Sequence, residues 1–230
     1  MDGPVAPRPD AAAVLHLVDR SVGWVDVGLE RRPGDVACGE LVRAARAGGD
    51  PLKRWRDALR DQLASEGGTV PRHLPAAFVL QWWCQVAAVP LAYAASLGPW
   101  VLRPRPDDVA FDLAPGLYPG RIVLDPQTPV DVVDDVAARL AAGRTAYGML
   151  VDDVTRGFAP DVRMGSRQRW GVVEDTWRAA LHGAARVPGA LTGPAAGGPP
   201  RRVSCCFLYL LPGRHECATC PRGANPRGGR

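Results

Sequence analysis

The feature that most constrains the fold is a stretch of 22 residues without a charge, AAFVLQWWCQVAAVPLAYAASL at 76–97. A stretch of this length either spans a membrane or forms the central helix of a folded core. It contains two glutamines, and Trp82 and Trp83 lie near its middle, whereas membrane-spanning helices place tryptophan at the interfaces. The pattern favours a buried core helix, bent at Pro90, and leaves peripheral contact with a membrane open.

Helical patterns dominate the rest of the chain. Asp50 followed by Pro51 predicts a helix start, and the apolar positions after it share one helical face: Leu52, Trp55, Leu59 and Leu63. Thr128, Pro129 and Asp131 repeat the start signal, and the predicted buried stripe is Val130, Val133, Ala137 and Leu140. A third helix is expected from about Ser166 to Gly183, with a buried face of Trp170, Val173, Trp177 and Leu181.

Strand patterns are fewer and short. DVAFDL at 108–113 and RIVLD at 121–125 flank the loop APGLYPG, which predicts a β-hairpin. WVDVGLE at 24–30 predicts another strand. The expected fold class is therefore α+β and predominantly α-helical: a helical body, a small antiparallel β-hairpin and a C-terminal cysteine-rich segment.

Composition divides the chain into three parts. Residues 1–186 are expected to form the helical body, and 187–200, VPGALTGPAAGGPP, a linker or loop rich in proline and glycine. Residues 201–230 form the C-terminal segment, which begins with the strand-like run RRVSCCFLYLL. The net charge is only +4 and no long basic run is present, so a nucleic-acid partner is not expected.

Four of the six cysteines fall within sixteen residues of the C-terminal segment: Cys205, Cys206, Cys217 and Cys220. Pro212 and Gly213 predict a turn that brings the C-x-x-C pair back beside the vicinal pair. The N-terminal sequence MDGPVAPRPDAAAV has no apolar signal region, so a cytoplasmic location is expected. Thiols stay reduced there, which makes metal ligands more plausible than disulfides.

Three interpretations of the cysteines remain open on the residues alone. They are buried reduced thiols without a cofactor, as expected of the isolated Cys38 and Cys84, a structural zinc site, or a [2Fe–2S] cluster. Zinc is bound by four thiolates around one ion, but neighbouring residues of an extended strand point to opposite faces. A two-iron cluster fits a vicinal pair more easily, because the two neighbouring cysteines need not bind the same metal atom.

The pattern C-C-x10-C-x2-C, followed by Pro221, resembles the C-terminal signature of the FhuF-like ferric-siderophore reductases. Arg201, Arg202 and Tyr209 also fit that signature, while Leu210 stands where a basic or polar residue is expected. More loosely, residues 71–186 resemble the helical body of the family, with a Trp-rich helix, a β-hairpin and a helix beginning near SRQRWG.

The resemblance implies a [2Fe–2S] cluster with four cysteine ligands, Cys205, Cys206, Cys217 and Cys220. It also implies one-electron reduction of Fe(III) held by an imported siderophore, typically a hydroxamate. A ferredoxin or a flavin- or NAD(P)H-dependent reductase would be the electron donor, since no nucleotide-binding motif is present. The implied location is the cytoplasm, with peripheral contact at the inner face of the cell membrane as a further option.

Charged neighbours of the cysteines are expected to have supporting roles. Arg201, Arg202, Arg214 and Arg222 would stabilise negative charge on a reduced cluster or attract an anionic chelate, or would be solvated loop charges. His215 is expected to be exposed or to lie outside the ligand set, because four cysteines already complete that set. A siderophore-binding sensor without turnover and a zinc-stabilised binding module remain as alternative functions.

Overall fold

The computed structural model describes residues 10–65, 69–193 and 198–224. In these residues the α-helices are α1 Ala11–Ser21, α2 Cys38–Arg46, α3 Lys53–Ser65, α4 His73–Leu97, α5 Val136–Gly157 and α6 Ser166–Ala184. The strands are β1 Asp26–Gly28, β2 Val36–Ala37, β3 Trp100–Leu102, β4 Val109–Leu113, β5 Pro119–Leu124 and β6 Val130–Val132. The fold is α+β and mostly helical, which confirms the predicted class.

Helix α4 is the centre of the core, as the uncharged stretch predicts. It packs mainly against α6 and α5, and α1 and α3 cover further parts of its surface. It is long and apolar enough to cross a membrane, but 78% of its most apolar window is buried inside the protein. The helix continues through Pro90. Because the helix is apolar on all sides, burial of most of its surface among other elements is what stabilises it in this fold.

The predicted hairpin is present as β4 and β5, which pair antiparallel from Val109 opposite Leu124 to Asp112 opposite Arg121. Strand β1 lies within the predicted 24–30 segment and pairs parallel with β5. The four-stranded sheet has the order β1-β5-β4-β2. Its inward side chains, including Phe111 and Ile122, join the same hydrophobic core as α4.

The helix predicted to begin near Thr128 begins eight residues later, and this prediction was wrong in its start and in its buried stripe. Residues Val130–Val132 form β6, which pairs antiparallel with β3. The N-cap is Asp135, whose carboxylate accepts a hydrogen bond from Ala138 N at 2.7 Å. The sequence contains two helix-start signals, one at Thr128 and one at Asp135. Because residues 130–132 pair with β3, the helix begins after the second signal.

The other two helix predictions are confirmed with one correction. Asp50 accepts a hydrogen bond from Leu52 N at 3.3 Å and precedes α3, and α6 begins at the predicted Ser166. Trp170 was expected to be buried but is 37% exposed, whereas Trp177 is buried. The buried face of α6 instead includes Asp175, because this face contacts the C-terminal segment as well as the apolar core.

The proline- and glycine-rich region 187–200 begins directly after α6. Leu191 N donates to Ser96 O at the end of α4, at 2.7 Å, so this first part is held against the body. Residues 194–197 of the predicted linker lie outside the described residues, as do 225–230 of the C-terminal segment. The division into body, linker and C-terminal segment stays a prediction.

Candidate iron–sulfur site

The cysteine segment, residues 201–222, lies along α6 and reaches the first turn of α4. It contacts α6 through Asp175 and Gln168. Further on, the ring of Phe207 packs on that of His73, the first residue of α4, with ring centroids 5.1 Å apart. The segment is therefore attached to the helical bundle at several points along its first half.

The vicinal cysteines lie in irregular backbone, so the strand-like interpretation of RRVSCCFLYLL was wrong. The run makes no strand in the described part of the chain and ends in a 3-10 turn at Leu208–Leu210. Phe207 has a φ of +60°, a left-handed conformation that redirects the chain immediately after the pair. Cys206 is buried and Cys205 is half-exposed, so the two neighbouring thiols occupy different environments.

A turn around Gly213 brings the two halves of the motif together, as predicted. Gly213 has a φ of +72°, which glycine adopts without strain, and Arg214 N donates to Leu211 O at 3.1 Å. As a result Cys217 Sγ lies 3.9 Å from Cys206 Sγ. Cys220 N donates to Cys217 O at 2.8 Å, which closes the C-x-x-C into a tight turn.

One pair of cysteine sulfurs has the separation expected of two ligands on the same metal. Two thiolates on one tetrahedral metal, with metal–sulfur bonds of about 2.3 Å, lie about 3.8 Å apart. Cys206 and Cys217 match that separation at 3.9 Å. No group of three or more His, Cys, Asp and Glu side chains surrounds a single ion position in the part of the chain that the structure describes. A pair of thiols at this separation fits one iron of a two-iron cluster, and it fits a zinc ion equally well.

The thiol of Cys205 has a raised pKa, chiefly because of its partial burial. A hydrogen bond from Phe207 N, 3.4 Å from the sulfur, lowers this pKa, while negative charge on Cys220 and Cys206 raises it again. The thiols are thus close enough for their charges to oppose one another. A metal ion bound to such thiols would favour their thiolate forms.

A buried carboxylate holds the chain just before the vicinal pair. Asp175 of α6 accepts hydrogen bonds from Val203 N at 2.8 Å, from Ser204 N at 2.7 Å and from Ser204 Oγ at 2.6 Å. The guanidinium of Arg202 lies 3.7 Å from the same carboxylate. Charge-assisted bonds of this kind are among the strong ones in proteins, so residues 202–204 are firmly placed on α6.

A second contact holds Cys205 itself. The side-chain amide of Gln168 pairs with the Cys205 backbone, accepting from Cys205 N at 3.1 Å and donating to Cys205 O at 2.6 Å. Between the two contacts the backbone passes close to α6, where a Cβ added to Gly171 would lie 3.3 Å from the Ser204 Cβ. Helix α6 thus fixes the position from which the first two cysteine side chains project.

The N-terminal ends of two long helices face the cysteine segment. Phe207 contacts the first residue of α4, and Cys205 is bound by Gln168, the third residue of α6. Neither helix has an acidic residue in its first turn. The N-terminal end of a helix carries partial positive charge, so both helices favour negative charge among the cysteines.

The arginines of the segment fall into two groups. Arg202 is largely buried against Asp175. Arg222 lies over the ring of Tyr209, 4.6 Å from its centroid, and donates to the phenol oxygen at 3.1 Å. Arg201 and Arg214 are exposed, and so is His215.

The isolated cysteines lie in the core, away from the segment. Cys38 begins α2 and Cys84 lies in the middle of α4, and both are buried. Burial raises the pKa of Cys38 strongly and raises the pKa of Cys84 to about 12. Both side chains are therefore protonated thiols at neutral pH, as expected of small apolar core residues.

Residues 202–222 match the family model described as the FhuF 2Fe-2S C-terminal domain. The C-terminal segment is thus similar to the [2Fe–2S]-binding domain of the FhuF family. The match runs from Arg202 to Arg222 and includes all four cysteines. It agrees with the resemblance found in the sequence. A comparison with curated proteins finds none that matches the chain. The cofactor of this domain is a [2Fe–2S] cluster, and the four thiol donors described above fit it.

Sequence reasoning missed the residues that position the segment. Asp175 and Gln168 are polar residues of a helix interpreted only by its apolar spacing. The available signal was Asp175 itself, a charged residue between the buried Val173 and Trp177. A carboxylate at such a place needs partners, and here they come from residues 202–204.

Proposed function

We propose that the protein is a ferric-siderophore reductase, which delivers one electron to Fe(III) in an imported siderophore and releases Fe(II). The observation that carries this proposal is the match of residues 202–222 to the FhuF 2Fe-2S domain, a domain compatible with a redox role. Hydroxamate siderophores are the proposed substrate class.

Four thiolates are proposed to hold the cofactor: Cys205, Cys206, Cys217 and Cys220. When bound, the [2Fe–2S] cluster supplies one electron at a time, which equals the change from Fe(III) to Fe(II). Cys206 and Cys220 are buried, so the protein shields this side of the site from water. Cys205 and Cys217 are half-exposed and leave a short path to a bound reactant.

The residues around the thiols have positioning and electrostatic roles in this proposal. Asp175 and Gln168 fix the backbone before and at the vicinal pair. Arg222, together with the two helix N-termini, offsets negative charge on the site, whereas the charge of Arg202 is balanced by Asp175. Stabilising the extra negative charge of the reduced state raises the reduction potential, which sets how readily the electron is accepted and passed on.

Charge explains why reduction releases the metal. Anionic oxygens hold Fe(III) tightly because the attraction scales with the product of the charges. One added electron lowers the charge of the iron from +3 to +2 and weakens every one of these contacts. The chelator itself is not broken, and a ferrous-iron acceptor makes the release irreversible.

The electron donor is proposed to be another protein, either a ferredoxin or a flavin- or NAD(P)H-dependent reductase. The chain contains no G-x-G-x-x-G motif or P-loop, so a nucleotide cofactor bound directly to it is not part of the proposal. The cytoplasm, with peripheral contact at the inner face of the cell membrane, is the proposed location, because imported siderophores and reduced donors meet there.

The test combines cofactor analysis with substrate turnover. Anaerobically purified protein is expected to contain two iron and two sulfide ions per chain, and to release ferrous iron from a ferric hydroxamate when supplied with a reductant. Serine at any of the four cysteines should abolish release. Stoichiometric zinc without sulfide, or full release by a protein lacking two of these cysteines, would overturn the proposal.

A further inference from the structure

A cavity of about 300 Å³ lies between α4, α6 and the cysteine segment, and we call it the α4–α6 cavity. Its polar lining comes from three elements: Gln81 and Gln85 of α4, Asp175, Thr176 and His182 of α6, and Arg202 and Thr219 of the cysteine segment. Its volume lies at the lower end of the range for small-molecule sites, about 300–1,000 Å³. It is large enough for part of a chelate.

The cavity adjoins the cysteine motif directly. Thr219 stands between Cys217 and Cys220 in the C-x-x-C, and its Oγ1 lies 4.0 Å from Cys217 Sγ. Arg202 N donates to Thr219 O at 3.1 Å, which ties this wall of the cavity to the part of the segment held by α6. A ligand that touches Thr219 is therefore one side chain away from a cysteine sulfur.

The lining favours a ligand rich in oxygen acceptors and without a large net charge. Gln81 and Gln85 present side-chain amides, which donate hydrogen bonds to carbonyl and hydroxamate oxygens. Arg202 Nε is buried and makes no hydrogen bond, although it lies 3.7 Å from the Asp175 carboxylate. That carboxylate balances the charge of the guanidinium, so the cavity offers hydrogen-bond donors with little net charge.

From this geometry we infer that the α4–α6 cavity binds the substrate of the proposed reaction, an uncharged ferric hydroxamate chelate. Three hydroxamates carry three negative charges and neutralise Fe(III), whereas three doubly charged catecholates leave a net charge of −3. A cavity with one balanced cation suits the first and provides nothing to offset the second. This assignment of the site rests on the proposed function.

The electron balance of the step is simple. One electron would pass from the cofactor held by the four cysteines to the chelated Fe(III), and no covalent bond of the chelator would form or break. A one-electron protein donor would resupply that electron. A ligand beside Thr219 would lie close to Cys217, whose sulfur is 4.0 Å from Thr219 Oγ1.

An arginine-lined cavity elsewhere is a less suitable candidate. It measures about 350 Å³ and is lined by Arg56, Arg60 and Arg72, but two of these arginines are paired with carboxylates, Arg56 with Asp50 and Arg60 with Asp57. None of its lining residues belongs to the cysteine segment. This cavity is the negative control: ligand binding should not change hydrogen exchange in the residues that line it.

The experiment measures binding without electron transfer. The gallium(III) complex of a linear trihydroxamate has the charge and shape of the ferric complex but is not reduced, and its affinity for the holoprotein is measured by calorimetry. Gln81→Met and Gln85→Met each remove an amide while keeping the chain length. Each is expected to weaken binding by about 2- to 10-fold. Gln62→Met, at a half-buried glutamine of α3 outside the cavity, is the matched control and should bind like the unchanged protein.

The possible outcomes distinguish a wrong binding site from a wrong proposed function. Unchanged affinity in both cavity variants, with normal cluster absorbance, would overturn the site while the reductase proposal stands. No binding of any gallium chelate to the unchanged protein would overturn both. Equal or tighter binding of a gallium tricatecholate would contradict the inferred preference for an uncharged ligand.

Hydrogen exchange on the unchanged holoprotein gives the same test without a variant. The gallium trihydroxamate should protect the backbone around residues 81–85 and 176–182, and leave the arginine-lined cavity around 56–60 unprotected. Protection at 56–60 alone would place the ligand in the arginine-lined cavity and contradict the inference.

Discussion

At the residue scale, the four cysteines differ in environment although they share one motif. Cys206 and Cys217 approach within 3.9 Å, the separation of two thiolates on one tetrahedral metal. The sequence identified the four candidates and the turn that joins them, because spacing and a Pro-Gly pair are local features. It left the pairing open, since that depends on the left-handed Phe207 and on contacts with α6 that are remote in sequence.

The first prediction is that Cys206 and Cys217 bind one iron, and Cys205 and Cys220 the other. In Mössbauer spectra, the double variant Cys206→Ser/Cys217→Ser should alter one iron and leave the other unchanged. The matched double variant Cys206→Ser/Cys220→Ser should alter both irons, because one serine falls on each. The reverse pattern would show that the pairing is wrong.

Disulfide mapping of the apoprotein covers the case in which the double variants do not assemble a cluster. Diamide oxidation should link Cys206 to Cys217 preferentially, since these sulfurs are already in contact distance. A dominant link from Cys206 to Cys220 would count against the pairing.

The second prediction is that Cys38 and Cys84 are not needed for the cofactor. Both are buried thiols outside the segment, and burial raises the pKa of each. Serine at either position should leave the iron and sulfide content unchanged, and should lower the free energy of unfolding by about 1–3 kcal/mol because a hydroxyl replaces an apolar thiol. Loss of the cluster spectrum in a folded Cys84→Ser protein would contradict this.

At the element scale, α6 acts as the support for the cysteine segment. Its apolar spacing predicted the helix and its start at Ser166, since periodicity and length are readable from sequence. The same spacing predicted that Trp170 is buried, but this side chain is 37% exposed, and the spacing missed Asp175 on the face that contacts the cysteine segment. The late start of α5 is a separate case, since pairing with β3 takes residues 130–132.

The third prediction concerns Asp175, which accepts three hydrogen bonds from residues 203 and 204. Asp175→Asn removes the charge and replaces one acceptor oxygen by a donor, so the folded protein should lose about 1–3 kcal/mol of stability. The cluster should also bleach about 10-fold faster in air or with a chelator. Asp153→Asn, at a partly exposed ion pair with Arg46, is the control and should behave like the unchanged protein. Equal bleaching rates in the two variants would remove the positioning role of Asp175.

At the scale of the whole molecule, α4 connects the hydrophobic core with the cysteine segment and the cavity beside it. It is the core of the fold, its first residue contacts Phe207, and its glutamines line the cavity beside the C-x-x-C. The sequence predicted its burial from composition and tryptophan position. It could not predict the cavity, which forms where three elements from distant parts of the chain meet.

The fourth prediction is that the protein is recovered without detergent, because most of the apolar surface of α4 is covered by other helices and the sheet. The measurement is fractionation of expressing cells followed by salt and alkaline washes of the membranes. Peripheral association that is removed by salt is compatible with the account. Recovery only in membranes after alkaline washing would show that α4 is a membrane span.

The central claim is that electrons pass from the reduced cluster to iron in a siderophore, and anaerobic stopped-flow spectroscopy tests it most directly. Pre-reduced protein is mixed with a ferric trihydroxamate, and cluster absorbance is followed beside capture of Fe(II) by a ferrous chelator. We expect reoxidation and capture to proceed together, with one Fe(II) per cluster. A cluster that stays reduced with every siderophore class, but is reoxidised by a small inorganic oxidant, would contradict the claim and indicate a binding or sensing role.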